Sequence, residues 1–212
     1  MIDRVNRQQT IYLAHGDTSV RKVLTTIIIT LGHKLPVTTD SGKELIDAAV
    51  SKPADVLIAS PGLSDMDGIE ALIQVGYVKP TPSIIVAKND DLDKVERAME
   101  DHVMAYLVEP VTAESLQPAI FLCQKRFRHL QSLEEQVTSL QQKLDDRKQI
   151  EKAKGIIMQV RQLDEPEAHR YLQNTARRTR RRLAEIAKQI VDGGSLLGID
   201  DFLNDLDIDR QT

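Results

Sequence analysis

The stretch ADVLIASPGLSDMDGIEAL, residues 54–72, is the most informative about the fold of the first half of the chain. Within it, residues 55–59 (DVLIA) lack the polar alternation of a half-exposed strand. This pattern predicts a strand that is buried on both faces, as in a parallel sheet. The loop that follows ends in Met66, Asp67 and Gly68. Because ligands of parallel sheets bind at the carboxyl ends of the strands, this loop marks a candidate site.

Strands and helices alternate on both sides of this stretch. Further strands are predicted at residues 11–15, 37–39, 83–87 and 105–108. Helices are predicted at residues 18–31, 43–50 and 92–100. Short strands that alternate with helices are typical of βαβ units. We therefore expect an α/β domain with a five-stranded parallel sheet over residues 1–122.

Charge divides the chain into three parts. Residues 1–120 carry 11 basic and 17 acidic residues (net −6), residues 121–192 carry 16 and 10 (net +6), and residues 193–212 carry 1 and 5 (net −4). A basic middle between acidic ends predicts that one segment meets a polyanion and the others do not. Because the chain has no Trp and 3% aromatic residues, an interface built on aromatic base stacking is disfavoured.

Composition narrows the classes of site and location. Cys123 is the single cysteine, so neither an internal disulfide nor a cysteine-based zinc cluster can form. The N-terminus has no apolar segment of the signal-peptide kind, and no apolar run approaches the roughly 18 residues of a membrane span. We therefore expect a cytoplasmic protein with no membrane contact, no cofactor and no bound metal.

Residues 119–154 contain neither Pro nor Gly and predict one long helix. Apolar residues recur in it at spacings of three and four, the pattern of a coiled-coil seam. We predict a dimerisation helix over residues 123–146. The predicted dimer contacts are Phe127, Leu130, Leu133, Val137, Leu140 and Leu144. The alternative is one amphipathic helix that packs on its own domain.

Residues 147–192 carry three helical patterns and predict a small all-α three-helix bundle. The first pattern places Ala153 and Ile157 on one face. Asp164 and Glu167 form a capping-box pair that begins the second helix. The third pattern ends at Gly193, a C-terminal stop signal. The acidic tail, residues 193–212, is either a solubilising extension or a short helix that docks on basic residues.

The first 120 residues resemble the receiver domain of bacterial response regulators. IYLAHGDTSVRKVL, residues 11–24, matches the first strand and helix. ADVLIASPGLSDMDGIEAL matches the third strand and its loop, and AYLVEPVTAESL, residues 105–116, matches the fifth strand, a cis-proline turn and the last helix. The resemblance implies a flavodoxin-like fold, with the positions for aspartyl phosphorylation at the strand ends.

Those positions hold the wrong residues for phosphorylation. The two metal-binding acids fall on His15 and Gly16, the phosphate acceptor on Ser60, the hydroxyl on Ala87 and the lysine on Glu109. Asp17 remains, but one carboxylate without the acceptor is a poor magnesium site. Because metal and lysine neutralise the charge that accumulates in phosphoryl transfer, we expect no aspartyl phosphorylation.

The resemblance also places His15 and Glu109 side by side, since the ends of strands one and five are neighbours in the receiver fold. We hypothesise that they form an ion pair that holds the empty site closed; the alternative is two unrelated surface residues. Tyr106 falls on the aromatic switch position and is expected to serve for packing. The input would then be a regulatory protein or a ligand that acts on this domain.

Residues 147–191, RKQIEKAKGIIMQVRQLDEPEAHRYLQNTARRTRRRLAEIAKQIV, resemble the ANTAR domain of transcription antitermination regulators. The match rests on IEKAKGIIM at residues 150–158, on Glu167-Ala168, and on Arg182-Leu183 with Ile186-Ala187. One departure is Arg180, where the family usually has Asn before the third helix. The resemblance implies binding of tandem hairpins in a leader transcript, which lets the polymerase read through a terminator.

The chemistry of the side chains agrees with RNA binding, because the arginine guanidinium binds phosphate in a bidentate way and stacks on unpaired bases. The predicted RNA-binding residues are Arg147, Lys154, Gly155, Arg177, Arg178, Arg180, Arg181 and Arg182. Gly155 costs about 1 kcal/mol in a helix interior, which suggests that it admits close approach of RNA or of another backbone. The alternative for the arginine run is a solvated charged face.

Three classes of function remain open. The first is an RNA-binding antitermination regulator, a homodimer whose two RNA-binding domains suit two hairpins. The second is a DNA-binding two-component response regulator, which needs an intact acceptor and a recognition helix for the major groove. The third is an adaptor that acts through its coiled coil. An enzyme is disfavoured because the sequence offers no nucleophile, metal cluster or glycine-rich phosphate loop.

Overall fold

The structure is a computed structural model that describes residues 8–88 and 103–193. The chain forms two compact units, divided between Ser132 and Leu133. The predicted helix at residues 92–100 and the acidic tail from residue 194 onward lie outside the described residues. Within the described residues, no helix is long and apolar enough to cross a membrane.

The first unit contains the predicted α/β domain. Its elements are β1 (Thr10–Ala14), α1 (Thr18–Thr30), β2 (Lys34–Thr39), α2 (Gly42–Ser51), β3 (Val56–Ala59), α3 (Gly68–Val78), β4 (Ser83–Ala87) and β5 (Val103–Val108). All strand pairs are parallel, in the order β2-β1-β3-β4-β5. This is the flavodoxin-like order, in which the switch point lies between β1 and β3. The predicted fold class is therefore confirmed.

The burial of the strands explains which of them the sequence revealed clearly. All residues of β3 and β4 are buried, so both strands read as apolar runs. In β2 burial alternates along the strand, because β2 lies at the edge of the sheet. Its exposed positions are polar or proline, which concealed the first half of the strand. The observed β2 is therefore longer than the predicted strand at residues 37–39.

The sheet lies between two apolar layers. On one face Leu24 and Ile28 of α1 pack in the same cluster as Ile11 and Ile58. On the other face Leu45, Leu72 and their neighbours from α2 and α3 cover Leu57 and Ile85. Both faces of β3 are consequently buried, as its apolar sequence predicted.

Helix α4 (Ala113–Arg161) is one continuous helix of 49 residues. Its first turns belong to the first unit, where Leu116, Ile120 and Cys123 join the sheet cluster. Phe127 is 9% exposed and is buried within the chain itself. Phe127 and Cys123, at the start of the predicted dimerisation helix, are thus buried within their own unit, and their predicted part in a dimer stays a prediction. Apolar residues at helical spacing in this region pack on their own domain.

The second unit contains the predicted three-helix bundle. The last turns of α4 pack with α5 (Glu165–Thr179) and α6 (Leu183–Gly193). The fully buried residues of this core are Ala153, Ile157, Ala168, Leu172, Ile186 and Ala187. Asp164 caps α5 in a complete capping box with Glu167, as predicted. The core is small, so the bundle has few buried apolar groups with which to offset the entropy of folding.

Candidate functional site

The first candidate site lies at the carboxyl ends of the strands of the first unit. The amide of Ser60 donates to the carbonyl of Ala14, and the amide of Glu109 donates to the carbonyl of Ala87. The His15 and Glu109 side chains also meet there. The structure thus brings together the predicted strand-end residues, each just after or at the end of its strand. Parallel register places these ends at one edge of the sheet.

Ser60 is buried, and its hydroxyl bonds to its own surroundings. The Ser60 Oγ accepts from the amide of Gly16 at 3.1 Å and donates to the carbonyl of Gly62 at 3.1 Å. A Cβ atom at Gly16 would lie 2.2 Å from that same carbonyl oxygen. Position 16 therefore has no room for the side chain that a metal-binding acid would need. The loop after β3 packs against the position where the receiver pattern has its second acid.

The carboxylates near the strand ends cap helices. Asp17 accepts from the amides of Ser19 and Val20 at 2.7 and 3.2 Å, at the N-terminus of α1. Asp67 caps α3 in the same way, by accepting from the amide of Ile69 at 2.7 Å. The hydrogen bonds from Val20 and Ser19 lower the pKa of Asp17. Asp17 is therefore ionised, and both carboxylates are bonded to backbone amides.

Asp65 caps a neighbouring helix across the loop. Its carboxylate accepts from the Ser41 hydroxyl and from the Gly42 amide, both at 2.7 Å, at the start of α2. These bonds lower the pKa of Asp65, with the Ser41 hydroxyl as the largest cause. Within residues 8–88 and 103–193, no three His, Cys, Asp or Glu side chains are grouped in a way that could hold a metal ion. The residues present do not fit the magnesium site of a phosphorylated receiver.

His15 and Glu109 are in contact inside the site, as the sequence predicted. His15 Nε2 lies 3.3 Å from Glu109 Oε1, and the two side chains are 4% and 15% exposed. The contact is electrostatic, since His15 Nε2 lies outside hydrogen-bond geometry. On the other side of the ring, His15 Nδ1 accepts from the amide of Asp17 at 3.1 Å. A nitrogen that accepts carries no proton, so the proton of the neutral ring lies on Nε2, the ring nitrogen nearer to Glu109.

The charge state of this pair differs from the prediction. Burial lowers the pKa of His15, against the opposing effect of the nearby Glu109 carboxylate. At neutral pH the contact is therefore between a neutral imidazole and a carboxylate, and it is not the predicted ion pair. The Glu109–Pro110 peptide bond is cis, as the receiver pattern implied.

Two charged residues around this site were not predicted. Arg21 donates to the His15 carbonyl and forms an ion pair with Asp40, with Nη2 and Oδ2 3.3 Å apart. Lys88, which directly follows β4, acts electrostatically on Asp17. Tyr106 packs in the apolar layer and donates from its hydroxyl to the Lys88 carbonyl at 3.1 Å. Arg21 and Lys88 follow no motif, and the fold brings them to the site.

The second candidate site is an arginine surface on the second unit, which we define as Arg177, Arg178, Arg180, Arg181 and Arg182. All five residues are exposed. Arg182 Nη2 lies 3.2 Å from Asp146 Oδ2, so the start of α6 lies beside the last part of α4. Arg147, the next residue on α4, is also exposed.

Arg180 holds a special backbone position at the end of α5. Its φ angle is 53°, in the left-handed region, and its amide bonds back to the carbonyls of Ala176 and Arg177. Left-handed caps favour Gly and, after it, Asn. This explains why the ANTAR pattern has Asn where this chain has Arg180.

Lys154 does not lie on the arginine surface. The residue is 8% exposed, and its Nζ contacts Glu151 Oε2 at 2.8 Å and Glu165 Oε1 at 2.7 Å. Hydrogen bonds to Glu151 and Glu165 raise the pKa of Lys154, so the ammonium is charged and already neutralised. Lys154 therefore links the end of α4 to the first turn of α5, and its predicted contact with RNA would require RNA to displace both carboxylates.

Gly155 faces open space in the single chain. Among the described residues, a Cβ atom built there would meet no atom within 4 Å. Close packing against the described part of this chain therefore does not account for the glycine. Approach by RNA or by a second chain remains the predicted reason for its place in the helix.

An exposed apolar stripe runs along the middle of α4. We define this seam as Leu133, Val137, Leu140 and Leu144, whose exposed fractions are 44% to 60%. Leu130 is also exposed, at 37%. Residues 133–144 keep the predicted four-three-four spacing on an uninterrupted helix.

Comparisons with known proteins identify both parts of the chain. The model of the response regulator receiver domain matches residues 11–121, and the model of the ANTAR domain matches residues 138–191. The transcriptional regulatory protein PdtaR of Mycobacterium tuberculosis is 30% identical over 179 residues, which are 83% of this chain and 87% of PdtaR. The aliphatic amidase regulator of Pseudomonas aeruginosa is 23% identical over 59% of this chain and 63% of its own length.

Solved structures resemble the first unit. The signal receiver domain of a modulated diguanylate cyclase from Desulfovibrio desulfuricans has a TM-score of 0.54 at 20% identity, and covers 57% of this chain and 98% of its own. A receiver domain from Clostridium thermocellum has a TM-score of 0.52 at 22% identity, with the same coverage. These likenesses support the fold of the first unit. Together with the two domain matches and the similarity to PdtaR, they show that the chain belongs to the family of response regulators that join a receiver domain to an ANTAR domain.

Proposed function

We propose that this protein is an RNA-binding transcription antitermination regulator that acts in the cytoplasm on leader-transcript hairpins. The observation that carries the proposal is the arginine surface, which lies within the segment that the ANTAR model matches. The name of PdtaR, a transcriptional regulatory protein, points to the same level of control. The protein acts by binding, without making or breaking covalent bonds.

The chemistry of the arginine surface suits a folded transcript. Five guanidinium groups within six residues offer many donors in a fixed planar geometry, which matches phosphate oxygens and leaves faces for stacking on unpaired bases. Arg181 and Arg182 contact the carboxylates of Glu185 and Asp146 at 3.7 and 3.2 Å, in ion pairs that are open to solvent on the arginine side. Exposed ion pairs are weak, so phosphate groups can replace them.

The seam supports a homodimer. Four large apolar residues on one face of a helix are unfavourable in water, and knobs-into-holes packing against a second copy would bury them. A dimer carries two ANTAR domains on one particle. The binding of one hairpin would then raise the effective concentration of the second domain for a neighbouring hairpin.

We further propose that the receiver unit works without aspartyl phosphorylation. Ser60 has a hydroxyl that is bonded to its own loop, position 16 has no room for an acid, and Glu109 puts negative charge where phosphoryl transfer requires positive charge. The nearby carboxylates cap helices. The receiver unit would accordingly respond to a bound protein or ligand.

A binding assay on RNA tests the proposal. The probe is a transcript library with two hairpins of randomised loop sequence, offered to the full chain beside duplex DNA of the same length. We expect selection of RNA, with affinity that falls steeply as salt rises. The paired variant Arg181→Gln/Arg182→Gln should lose most of this affinity. The matched control Lys125→Gln/Arg128→Gln removes two exposed charges from α4 in the first unit and should retain it.

Two outcomes would contradict the proposal. Preference for the duplex DNA would favour a DNA-binding response regulator. Equal binding by the arginine variant and its control would mean that the arginine surface is a solvated face, and an adaptor function would then account better for the chain.

A further inference from the structure

A groove of 480 Å³ borders the strand-end site of the first unit. It lies between the first turns of α1 and the turn that joins β5 to α4, and it is lined by Ser19, Val20, Val23, Leu24, Lys88, Glu109, Pro110 and Val111. Its size falls in the range of about 300 to 1,000 Å³ that is usual for small-molecule sites. Apolar walls with few polar groups are also typical of such sites.

The polar group of interest in this groove is the Glu109 carboxylate. Its side chain is 15% exposed, and the contact it makes within the described residues is with His15, at 3.3 Å. His15 is neutral at neutral pH and does not cancel the negative charge of the carboxylate. A carboxylate that is largely removed from water without a cation is unfavourable.

Neither nearby cation of the described chain pairs with this carboxylate. Arg21 binds the His15 carbonyl and Asp40. Lys88 lines the same groove, but no described cation lies within 4.0 Å of the Glu109 carboxylate. Among the described residues, the groove therefore combines apolar walls with a carboxylate that has no ion-pair partner.

We propose that this groove binds a small molecule with an apolar body and one ammonium group, which forms the missing ion pair with Glu109. An ammonium ion has three donors and one positive charge, so it supplies both the hydrogen bonds and the charge that the carboxylate lacks. The apolar body packs against Val20, Val23 and Val111. Repulsion from Glu109 disfavours a carboxylate ligand at the same position. This site belongs to the first unit and is independent of the proposal that the second unit binds RNA.

Binding of three simple probes to the full chain tests this site. Hexylamine, hexan-1-ol and hexanoate share one apolar body and differ in charge. Calorimetry measures their affinities, and methyl resonances of valine report where they bind. We expect saturable binding of hexylamine, with shifts at Val20 and Val23, at an affinity about tenfold or more above that of hexan-1-ol, since an ion pair with a largely buried carboxylate adds to apolar contact. Hexanoate should not bind.

Three variants assign the binding to the groove. Glu109→Gln should lower hexylamine affinity at least to that of hexan-1-ol, whereas Glu70→Gln, which removes an exposed carboxylate of α3 outside the groove, should retain it. Val23→Trp fills the groove from an exposed position and should abolish binding of both probes, with Glu109 and His15 unaltered, so it decides the question even if Glu109→Gln fails to fold. Absence of saturable hexylamine binding, equal affinity for the alcohol, or binding that survives Val23→Trp would overturn the proposal. RNA affinity is measured separately, so either proposal can fail alone.

Discussion

Substitution of Lys154 by Met tests whether this lysine has a structural role or binds RNA. Lys154 Nζ lies 2.8 and 2.7 Å from carboxylate oxygens of Glu151 and Glu165, and the residue is 8% exposed. Methionine keeps most of the buried aliphatic volume of the lysine stem and removes the charge. The two carboxylates, at 54% and 65% exposure, can regain water. We therefore expect a less stable but folded second unit.

The magnitude of the effect on RNA binding follows from counterion release. Each phosphate contact contributes about 0.7 to 0.9 to the slope of log affinity against log salt. Because Lys154 is already neutralised by two acids, its removal should leave this slope unchanged. Arg147 lies before Lys154 on the same helix and is exposed. If Arg147 contacts phosphate, Arg147→Met should lower the slope by about 0.7 to 0.9.

The assay is the salt dependence of binding to a selected RNA, with urea unfolding as the measure of stability. We expect Lys154→Met to lose stability with an unchanged salt slope. Arg147→Met should keep its stability and have a lower salt slope. A slope that falls in Lys154→Met by the amount of one phosphate contact, at unchanged stability, would refute the structural role. It would mean that RNA displaces both carboxylates.

Three further predictions concern stability and assembly. Burial lowers the pKa of His15 in the folded state, so His15 takes up a proton on unfolding at pH values between its folded and unfolded pKa, and the first unit should lose stability as pH falls below about 6.5. Urea unfolding from pH 5 to 7.5 measures this loss, and the free energy of unfolding should depend less on pH in His15→Gln. An equal dependence on pH in both proteins would contradict the assignment to His15. Gly16→Ala should destabilise the first unit, because its Cβ would lie 2.2 Å from a backbone oxygen, whereas Gly155→Ala should stabilise the second unit by up to about 1 kcal/mol. Thermal unfolding measures both changes in stability, and a change of the same sign and size in the two variants would contradict this prediction. Leu140→Lys should convert a dimer to a monomer in sedimentation experiments, whereas the neighbouring exposed control Ser139→Lys should remain a dimer. A monomeric wild-type chain would contradict dimerisation through the seam.

Parts of the fold were predictable because burial leaves a periodic trace in the sequence. The apolar run of β3 and the repeated apolar residues of α6 correspond to buried faces. The meeting of His15 with Glu109 was also predictable, since parallel strands end at a common edge. In these cases one local pattern and one general rule of topology were sufficient.

Other features depend on partners that sequence spacing does not specify. Lys154 carries the same charge as its arginine neighbours, and its burial follows from Glu165 on another helix. Phe127 continues the spacing of the seam but is buried in its own chain. The neutral state of His15 depends on burial, which outweighs the adjacent carboxylate. In each case tertiary packing sets the environment of the group, and the spacing of residues in the sequence does not report it.

The most direct measurement is single-round transcription across a terminator that follows a selected pair of hairpins. The full chain is added without any phosphodonor, and read-through is compared with the Arg181→Gln/Arg182→Gln variant. We expect the wild-type chain to raise read-through without a phosphodonor, acetyl phosphate to change nothing, and the arginine variant to have no effect. Read-through that requires acetyl phosphate, or that the arginine variant supports equally, would contradict it.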